Sequence, residues 1–284
     1  MKKAVDKLKL HMDSLFIFAS RVPYGNIHPL RVIQASKSLI GINPDNPPKV
    51  LLKWLEEYIK KFEPNFEVPD LDSIQESPEV ITYFRLNELI TDGREKVSHE
   101  YLGFLLKSAT PISVVESLIE LAAEQSAVKL LYCWSALRSI QFVGEKEGYP
   151  LLYHCISNLV REKTNVDEGN NLSRYEMLCH QYQIRKADMV RSSKIHPVLD
   201  QLLQTLPSDS CQPHDWMPET LKDMIEDEGA GGIQAYICSL KSGQISEELI
   251  RKLDALRSVM LFSDYTVNEI LDGIFLRLRE KQHA

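Results

Sequence analysis

Helical periodicity is the feature of this sequence that most restricts its fold. Apolar residues recur every three or four positions along most of the chain. In KVLLKWLEEYIKKF, for example, one stripe carries Val50, Leu51, Trp54, Leu55, Tyr58, Ile59 and Phe62. Long alternating β-branched runs and Asn-Gly hairpin turns do not occur. The sequence therefore predicts an all-α protein of about twelve helices, arranged as an irregular bundle or as an array of helical pairs.

Residues that favour helix ends predict several boundaries in the first half of the chain. Gly41 is expected to follow a helix as its C′ glycine. The sequence Ser77-Pro78-Glu79 predicts a helix start, because serine caps, proline suits the first turn and an acid favours the positive end of the helix dipole. Ser113 and Glu116 have the spacing of a capping box at the start of a later helix.

Proline and glycine predict two interruptions in the second half. The helical region 172–206 is expected to break or kink near Pro197, because proline lacks the backbone N–H that a helix interior needs. Gly229 is expected to cap the end of a helix, and residues 230–232 to form a flexible joint. The joint follows a helix and not a strand, so it does not match a phosphate-binding glycine loop.

Length and composition are those of a globular protein. The chain has 284 residues, of which 44% are hydrophobic and 26% charged, and this is enough apolar material for a sizeable core. The polar, turn-forming segment 165–171 is the clearest linker. We therefore expect an N-terminal helical region, 1–164, and a C-terminal helical region, 172–284, packed together as one unit across that linker.

Charge and cysteine content restrict the class of protein. The formal net charge of -7 argues against a nucleic-acid partner, because phosphate contact needs a surplus of lysine and arginine. The five cysteines are odd in number and include no CxxC, which is typical of reduced thiols in a cytoplasmic protein. Charged residues interrupt the apolar run near the N-terminus, and no stretch reaches the length of a membrane span.

The segment 173–197 is the densest collection of chemically active side chains. Helical geometry predicts one buried face formed by Tyr175, Cys179, Tyr182, Met189 and Val190. His180 points away from that face, beside Glu176 and Arg191. The Glu176–His180 pair, four residues apart, is expected to be a solvent-facing helix pair. The alternative is a carboxylate that orients an imidazole for catalysis or metal binding.

Three further histidines are weaker candidates. His99 follows Glu95 at the same spacing and is flanked by leucines, which favours burial. His154 lies on the polar side of its helix and is expected at the surface or between helices, whereas His214 precedes an aspartate in a loop. Helical di-metal sites use Glu-x-x-His on two helices, whereas the chain has this spacing once, at Glu280 and His283, so no metal site is predicted.

Two functions from different classes fit these observations. The first is a soluble all-α interaction module whose inter-helix grooves bind a protein or peptide partner. The second is an all-α enzyme, an oxidase or a metal-assisted catalyst, with a pocket inside the bundle lined by aromatic and histidine side chains. The enzyme's candidate catalytic residues are His99, His154, Glu176, His180 and His214. Both functions leave room for a small-molecule ligand, and the sequence specifies no cofactor.

Overall fold

The computed structural model of the protein describes residues 2–25, 28–68, 80–145, 148–161, 171–206 and 216–271. Within these ranges the chain forms fourteen α-helices and no β-strand, which confirms the predicted all-α fold. None of the helices in the described ranges combines the length and the hydropathy that crossing a membrane requires. The helices are α1 (Lys2–Ser20), α2 (Leu30–Ile40), α3 (Lys49–Ile59), α4 (Tyr83–Thr91), α5 (Glu95–Leu105), α6 (Pro111–Gln125), α7 (Ala127–Val143), α8 (Tyr149–Val160), α9 (Asn171–Lys186), α10 (Ser192–Thr205), α11 (Glu219–Glu228), α12 (Ala230–Ser239), α13 (Glu247–Phe262) and α14 (Val267–Leu271).

Helix α7 lies at the centre of the molecule. It packs against α1, α2, α6, α8 and α9, and thirteen of its seventeen residues are buried. A helix that is apolar around its whole circumference is buried on all sides, as its sequence predicts. Helices α2, α9 and α13 complete the central group, because α2 packs on α7 and α13, and α9 packs on α7 and α13.

Short polar side chains begin several helices by accepting a hydrogen bond from a free backbone N–H group. Thr82 accepts from the N–H of Arg85 at 3.1 Å and starts α4. This start lies after residues 77–79, which are outside the described ranges. Ser126 separates α6 from α7: its N–H donates to the end of α6, and its hydroxyl caps α7. A single residue therefore turns the chain between two long helices.

Two predicted helix ends have a different geometry. Gly41 follows α2, but its φ of -71° is right-handed, so it is not a left-handed C′ glycine. The capping box of Ser113 and Glu116 is also wrong. Thr110 caps α6 by accepting from the N–H of Ser113 at 3.2 Å. Glu116 instead accepts from the backbone N–H groups of residues 190 and 191, because tertiary packing brings that turn against α6.

The predicted break at Pro197 occurs earlier in the chain. Helix α9 ends at Lys186, α10 begins at Ser192, and Pro197 lies inside α10. The contacts of Glu116 with the turn between these helices stabilise a change of direction that the local sequence did not predict. Val190, predicted to be buried, lies in this turn and is 92% exposed, because the helical projection no longer applies there.

The predicted flexible joint at residues 230–232 is helical. Gly229, with φ +59°, ends α11 as expected, but α12 begins immediately at Ala230. A Cβ atom on Gly232 would lie 2.0 Å from the backbone oxygen of Met224. Gly232 is therefore needed for the close approach of α11 and α12, and not for mobility.

The two regions that the sequence predicts, 1–164 and 172–284, contact each other through several helix pairs. Helix α2 packs on α13, α7 on α9, and α6 on α10. Most of the linker predicted between the two regions lies outside the described residues, apart from Asn171, which begins α9. These contacts bring polar side chains from α2, α7, α9 and α13 into the centre of the protein.

Candidate functional site

Glu176 and His180 are buried, which contradicts the prediction of a solvent-facing pair. Their exposed fractions are 3% and 5%. The prediction considered α9 alone, with one buried face. In the structure α9 packs against both α7 and α13, so the polar side of the helix is covered as well. Each buried polar group then needs a partner, since an unpaired buried charge is costly.

Glu176 is held between two arginines from different helices, an arrangement that we name the Glu176 clasp (Arg31, Glu176 and Arg251). Arg251 donates through Nε and Nη2 to the two carboxylate oxygens, at 2.8 and 2.5 Å. Arg31 donates through Nη2 at 2.6 Å. Burial alone would raise the pKa of Glu176, but Arg31 and Arg251 hold this pKa below its usual value. The clasp thus joins α2, α9 and α13 through an ionised carboxylate.

A second buried carboxylate forms the Asp254 cluster (Arg138, Asp254 and Arg257). Arg138 of α7 donates to one oxygen of Asp254 at 3.3 Å, and Arg257 donates through Nε to the other at 3.0 Å. Arg138 also donates to the hydroxyl of Ser38 in α2. Burial opposes ionisation of Asp254, but Arg138 and Arg257 lower its pKa below the usual value.

His180 lies between the two arginine–carboxylate groups. Its Nδ1 shares a hydrogen bond of 2.9 Å with the Ser258 hydroxyl, and its Nε2 is 3.9 Å from Asp254. Burial lowers the pKa of His180 to about 4, and the nearby Arg138 adds to this effect. The imidazole is therefore neutral at pH 7 and adds no positive charge to the clusters.

A cleft opens beside the Asp254 cluster, between α2, α7, α9 and α13. This basic cleft has a volume of about 410 Å³ and is lined by Lys37, Ser38, Arg138, Phe142, Gln183 and Arg257, among others. Lys37 is half-buried with its ammonium 4.8 Å from the centre of the Phe142 ring. Burial and the neighbouring Arg138 lower the pKa of Lys37 to about 8. Lys37 is thus largely charged at pH 7, in a site that already contains two arginines.

The hydrogen-bonding capacity of these cations is not fully used. Arg257 is only 7% exposed, and its sole hydrogen bond to the described residues runs from Nε to Asp254. Its two terminal nitrogens, with four N–H donors, have no partner in that part of the chain. The Lys37 ammonium likewise forms no hydrogen bond or ion pair with a described residue. Both groups line the same cleft, so a ligand with several acceptor oxygens could bind both of them.

Aromatic and histidine side chains form a separate buried cluster. His154, predicted at the surface or between helices, lies between helices: it is 1% exposed, and its Nε2 donates to the Ser20 carbonyl at the end of α1 at 2.9 Å. Its ring centre lies 4.8 Å from that of His28, which is hydrogen-bonded to the Tyr132 hydroxyl at 3.1 Å. His99 is partly buried as expected, and donates to the Tyr153 carbonyl at 3.1 Å.

The structure divides the predicted catalytic residues between two places. His99 and His154 belong to the aromatic cluster, whereas Glu176 and His180 lie beside the Asp254 cluster. His214 lies outside the described residues. Across the described ranges, no three histidine, cysteine, aspartate or glutamate side chains are placed to hold a metal ion. The residues therefore do not assemble into the single histidine-lined pocket of the enzyme hypothesis within those ranges.

Sequence reasoning missed most of the residues that form the basic cleft. Arg138 is a cation within the apolar run of α7, which is the one local signal that a buried charge was present. Asp254 and Arg257 are three residues apart and resemble an ordinary surface ion pair. Lys37 resembles a cation at the end of a helix. Their convergence depends on contacts between helices far apart in sequence.

Comparison of the chain with protein-family models, with curated proteins and with solved structures finds no match in any of the three. The geometry of the clusters and the cleft is therefore the basis for assigning a function.

Proposed function

We propose that this protein is an all-α interaction module whose partner inserts an anionic group into the basic cleft. One observation carries the proposal: Lys37 and Arg257 line the cleft, and the Lys37 ammonium and the terminal nitrogens of Arg257 form no hydrogen bond or ion pair with a described residue. The terminal nitrogens of Arg257 are not among the fully buried polar atoms that lack a partner, so they face the solvent of the cleft. An anion in the cleft can replace that water and accept charge-assisted hydrogen bonds from them.

The charge around the cleft supports an anionic ligand. Lys37, Arg138 and Arg257 supply three positive charges, and Asp254 supplies one negative charge. The nearby imidazole of His180 is neutral at pH 7. A low-dielectric wall strengthens the attraction of the remaining positive charge for an anion. Charge-assisted hydrogen bonds of this kind contribute about 1.5–3 kcal/mol each.

The position of the cleft supports a protein or peptide partner. It opens between four helices at the surface, and inter-helix grooves of this kind accept segments of other chains. None of the four cysteines in the described residues, Cys133, Cys155, Cys179 and Cys238, forms a disulfide bond, which supports the further proposal that the protein acts in a reducing compartment such as the cytoplasm.

The proposal is tested by titrating the protein with inorganic phosphate and following binding by NMR or calorimetry. We expect Lys37→Gln and Arg257→Gln each to weaken phosphate binding about tenfold, which corresponds to roughly 1.4 kcal/mol. Lys37→Gln removes an ammonium that forms no hydrogen bond or ion pair with a described residue and lies over the Phe142 ring, so its effect on folding should be small. Thermal melting of each variant separates loss of binding from loss of fold.

Matched controls remove the same charge elsewhere. Lys49 is exposed at the start of α3, and Arg94 has a side chain that is 58% exposed. Lys49→Gln and Arg94→Gln should bind phosphate like the unmodified protein. Equal weakening in all four variants would mean a diffuse effect of net charge and would overturn the proposal, as would absence of phosphate binding at low ionic strength.

A further inference from the structure

The basic cleft adjoins two further cavities, and we call the three together the groove. The basic cleft shares Arg257 with a cavity of about 770 Å³, and it shares Lys37 and Phe142 with a cavity of about 120 Å³. All three cavities touch Gly41, at the end of α2. A ligand bound in the basic cleft is therefore next to both of the other cavities.

The charge and donor count of the basic cleft match a phosphate monoester better than a carboxylate. Three cations face one aspartate, which leaves an excess of two positive charges. A phosphorylated side chain carries about -1.5 to -2 charges at pH 7 and has three strong acceptor oxygens. A glutamate side chain carries one negative charge and two oxygens. The unused N–H groups of Arg257 and Lys37 can serve all three phosphate oxygens.

The small cavity, which we name the apolar compartment, fits one side chain. Its lining includes Leu8, Met12, Ile40, Pro44 and Phe142, and its volume is about 120 Å³. An apolar cavity of roughly 150 Å³ holds one benzene molecule. The apolar compartment thus has room for a single leucine- or phenylalanine-sized group, and is too small to enclose the acyl chain of a lipid.

The large cavity, which we name the polar compartment, suits a peptide backbone. Asn43, Asn46 and Gln234 line it, and their side-chain amides belong to the group types that pair with backbone N–H and C=O groups. Gln234 itself donates to the carbonyl of Asn46 at 2.8 Å, which connects α12 to the turn after α2. Glu228 is the acidic residue in the lining of this compartment and does not line the basic cleft.

We infer that the groove binds an extended peptide in which a phosphorylated side chain occupies the basic cleft and one large apolar neighbour occupies the apolar compartment. The inference rests on the proposed function, because both use Lys37, Arg138 and Arg257. It adds the chemical identity of the anion and the class of the partner. It also adds a second determinant of specificity, the apolar compartment, which is lined by Leu8 and Met12 of α1.

The test uses short synthetic peptides with a central phosphoserine and one leucine placed at each flanking position in turn. Matched peptides carry serine or glutamate in place of phosphoserine. We expect the best phosphoserine–leucine peptide to bind about tenfold more tightly than its glutamate counterpart. Replacing its leucine with glycine should weaken binding by a similar factor.

Protein variants locate the apolar neighbour. Leu8→Trp places a large ring at the apolar compartment and should abolish the preference for leucine, while binding of the leucine-free phosphoserine peptide is unchanged. Leu10→Trp is the matched control on α1, because Leu10 is 69% exposed and does not line the compartment.

Bound peptide should also slow iodoacetamide alkylation of Cys238, which lines the polar compartment and is exposed.

Different failures have different meanings. Equal affinity for phosphoserine and glutamate peptides would overturn the phosphate inference and leave the anion-binding module intact. Competition by an inositol phosphate or by anionic lipid vesicles at lower concentrations than the best peptide would overturn the peptide partner. If neither the peptides nor inorganic phosphate binds, the proposed function itself fails.

Discussion

Two buried carboxylates lie between pairs of arginines in this protein, and they differ in what remains unsatisfied. In the Glu176 clasp, Arg251 binds both oxygens of Glu176 through two nitrogens, and Glu247 adds a second negative charge near Arg251. In the Asp254 cluster, Arg257 uses Nε alone, and Lys37 adds a further positive charge. The charges of the Glu176 clasp and Glu247 therefore nearly cancel, whereas the Asp254 cluster and Lys37 leave an excess of positive charge beside the basic cleft.

Buried charge therefore has two roles in this helical protein. The clasp joins α2, α9 and α13, and its charges compensate each other within the fold. The Asp254 cluster also joins helices, α7 to α13, but the two terminal nitrogens of Arg257 and the adjacent Lys37 ammonium form no hydrogen bond with a described residue. We propose that the Glu176 clasp contributes to stability alone, whereas the Asp254 cluster contributes both to stability and to ligand binding. The variants and titrations below distinguish these two roles.

The largest expected effect is on stability. Glu176→Gln removes the negative charge between two arginines and should lower the free energy of unfolding by about 3–5 kcal/mol, because Arg31 is left buried without its counter-ion and Arg251 keeps only the nearby charge of Glu247. Asp254→Asn should destabilise the protein by a similar amount for the same reason. Urea unfolding followed by circular dichroism measures both changes.

Phosphate should separate these two variants. Asp254→Asn increases the excess positive charge beside the basic cleft, so phosphate should bind it more tightly and recover part of its lost stability. Glu176→Gln should show no extra stabilisation by phosphate relative to the unmodified protein. Identical responses of the two variants to phosphate would contradict the distinction between the clasp and the cluster.

An intermediate effect is expected from acid, through His180 between the two groups. The pKa of His180 is lowered to about 4 mainly by burial, whereas an unfolded histidine titrates near 6.5. Between these values the unfolded chain binds more protons than the folded chain, so the free energy of unfolding decreases as the pH falls from about 6.5 towards 4. The contribution of His180 is on the order of 2–3 kcal/mol.

His154 and His28 should act in the same direction, because burial lowers their pKa values to about 4 and about 3. Urea unfolding at a series of pH values measures the combined loss, and His180→Gln should reduce its slope. If His180→Gln leaves the dependence of unfolding free energy on pH unchanged, His180 does not contribute to the loss of stability in acid.

The smallest expected effect is the loss of phosphate binding at alkaline pH. The pKa of Lys37 is about 8 in the free protein, in an environment that contains Arg138 from α7 and Asp254 and Arg257 from α13, with Lys9 of α1 on the same Phe142 ring. As the pH rises through this value Lys37 loses its charge, and phosphate affinity should fall by up to about tenfold.

Lys37→Arg provides the comparison, because arginine keeps its charge at these pH values. Calorimetric titrations between pH 7 and 10 should show the decline for the unmodified protein and little decline for the arginine variant. A parallel decline in both proteins would assign the titration to another group and weaken the role given to Lys37.

The helical class was predictable because it depends on local spacing. The stripe of α3, the apolar circumference of α7 and the capping residues of several helices are properties of neighbouring residues, and the fold retains them. Thr266 and Glu269 have the Thr-x-x-Glu spacing that predicts a capping box, and this local interaction forms at the start of the last described helix. The Thr266 N–H donates to Glu269 at 2.8 Å, and the Glu269 N–H donates to Thr266 at 3.3 Å.

Several predictions failed because the outcome depended on a second helix. Glu116 was given a local capping role, but it accepts from the turn between α9 and α10. Glu176 and His180 were expected to face solvent, but packing buries both. A helical projection identifies which residues share a side, but it does not state how many sides another helix will cover.

The amino-acid pattern alone predicts that the chain is built of helices, that α7 is apolar on all sides, and that a capping box begins the last described helix. These properties follow from spacing and from interactions within a few residues. The burial of Glu176 and His180 depends on tertiary packing. The same packing brings Lys37, Arg138 and Arg257 to one cleft. The physical reason is that burial and charge neighbourhood depend on contacts between α2, α7, α9 and α13, which are distant in the chain and leave no local pattern to read.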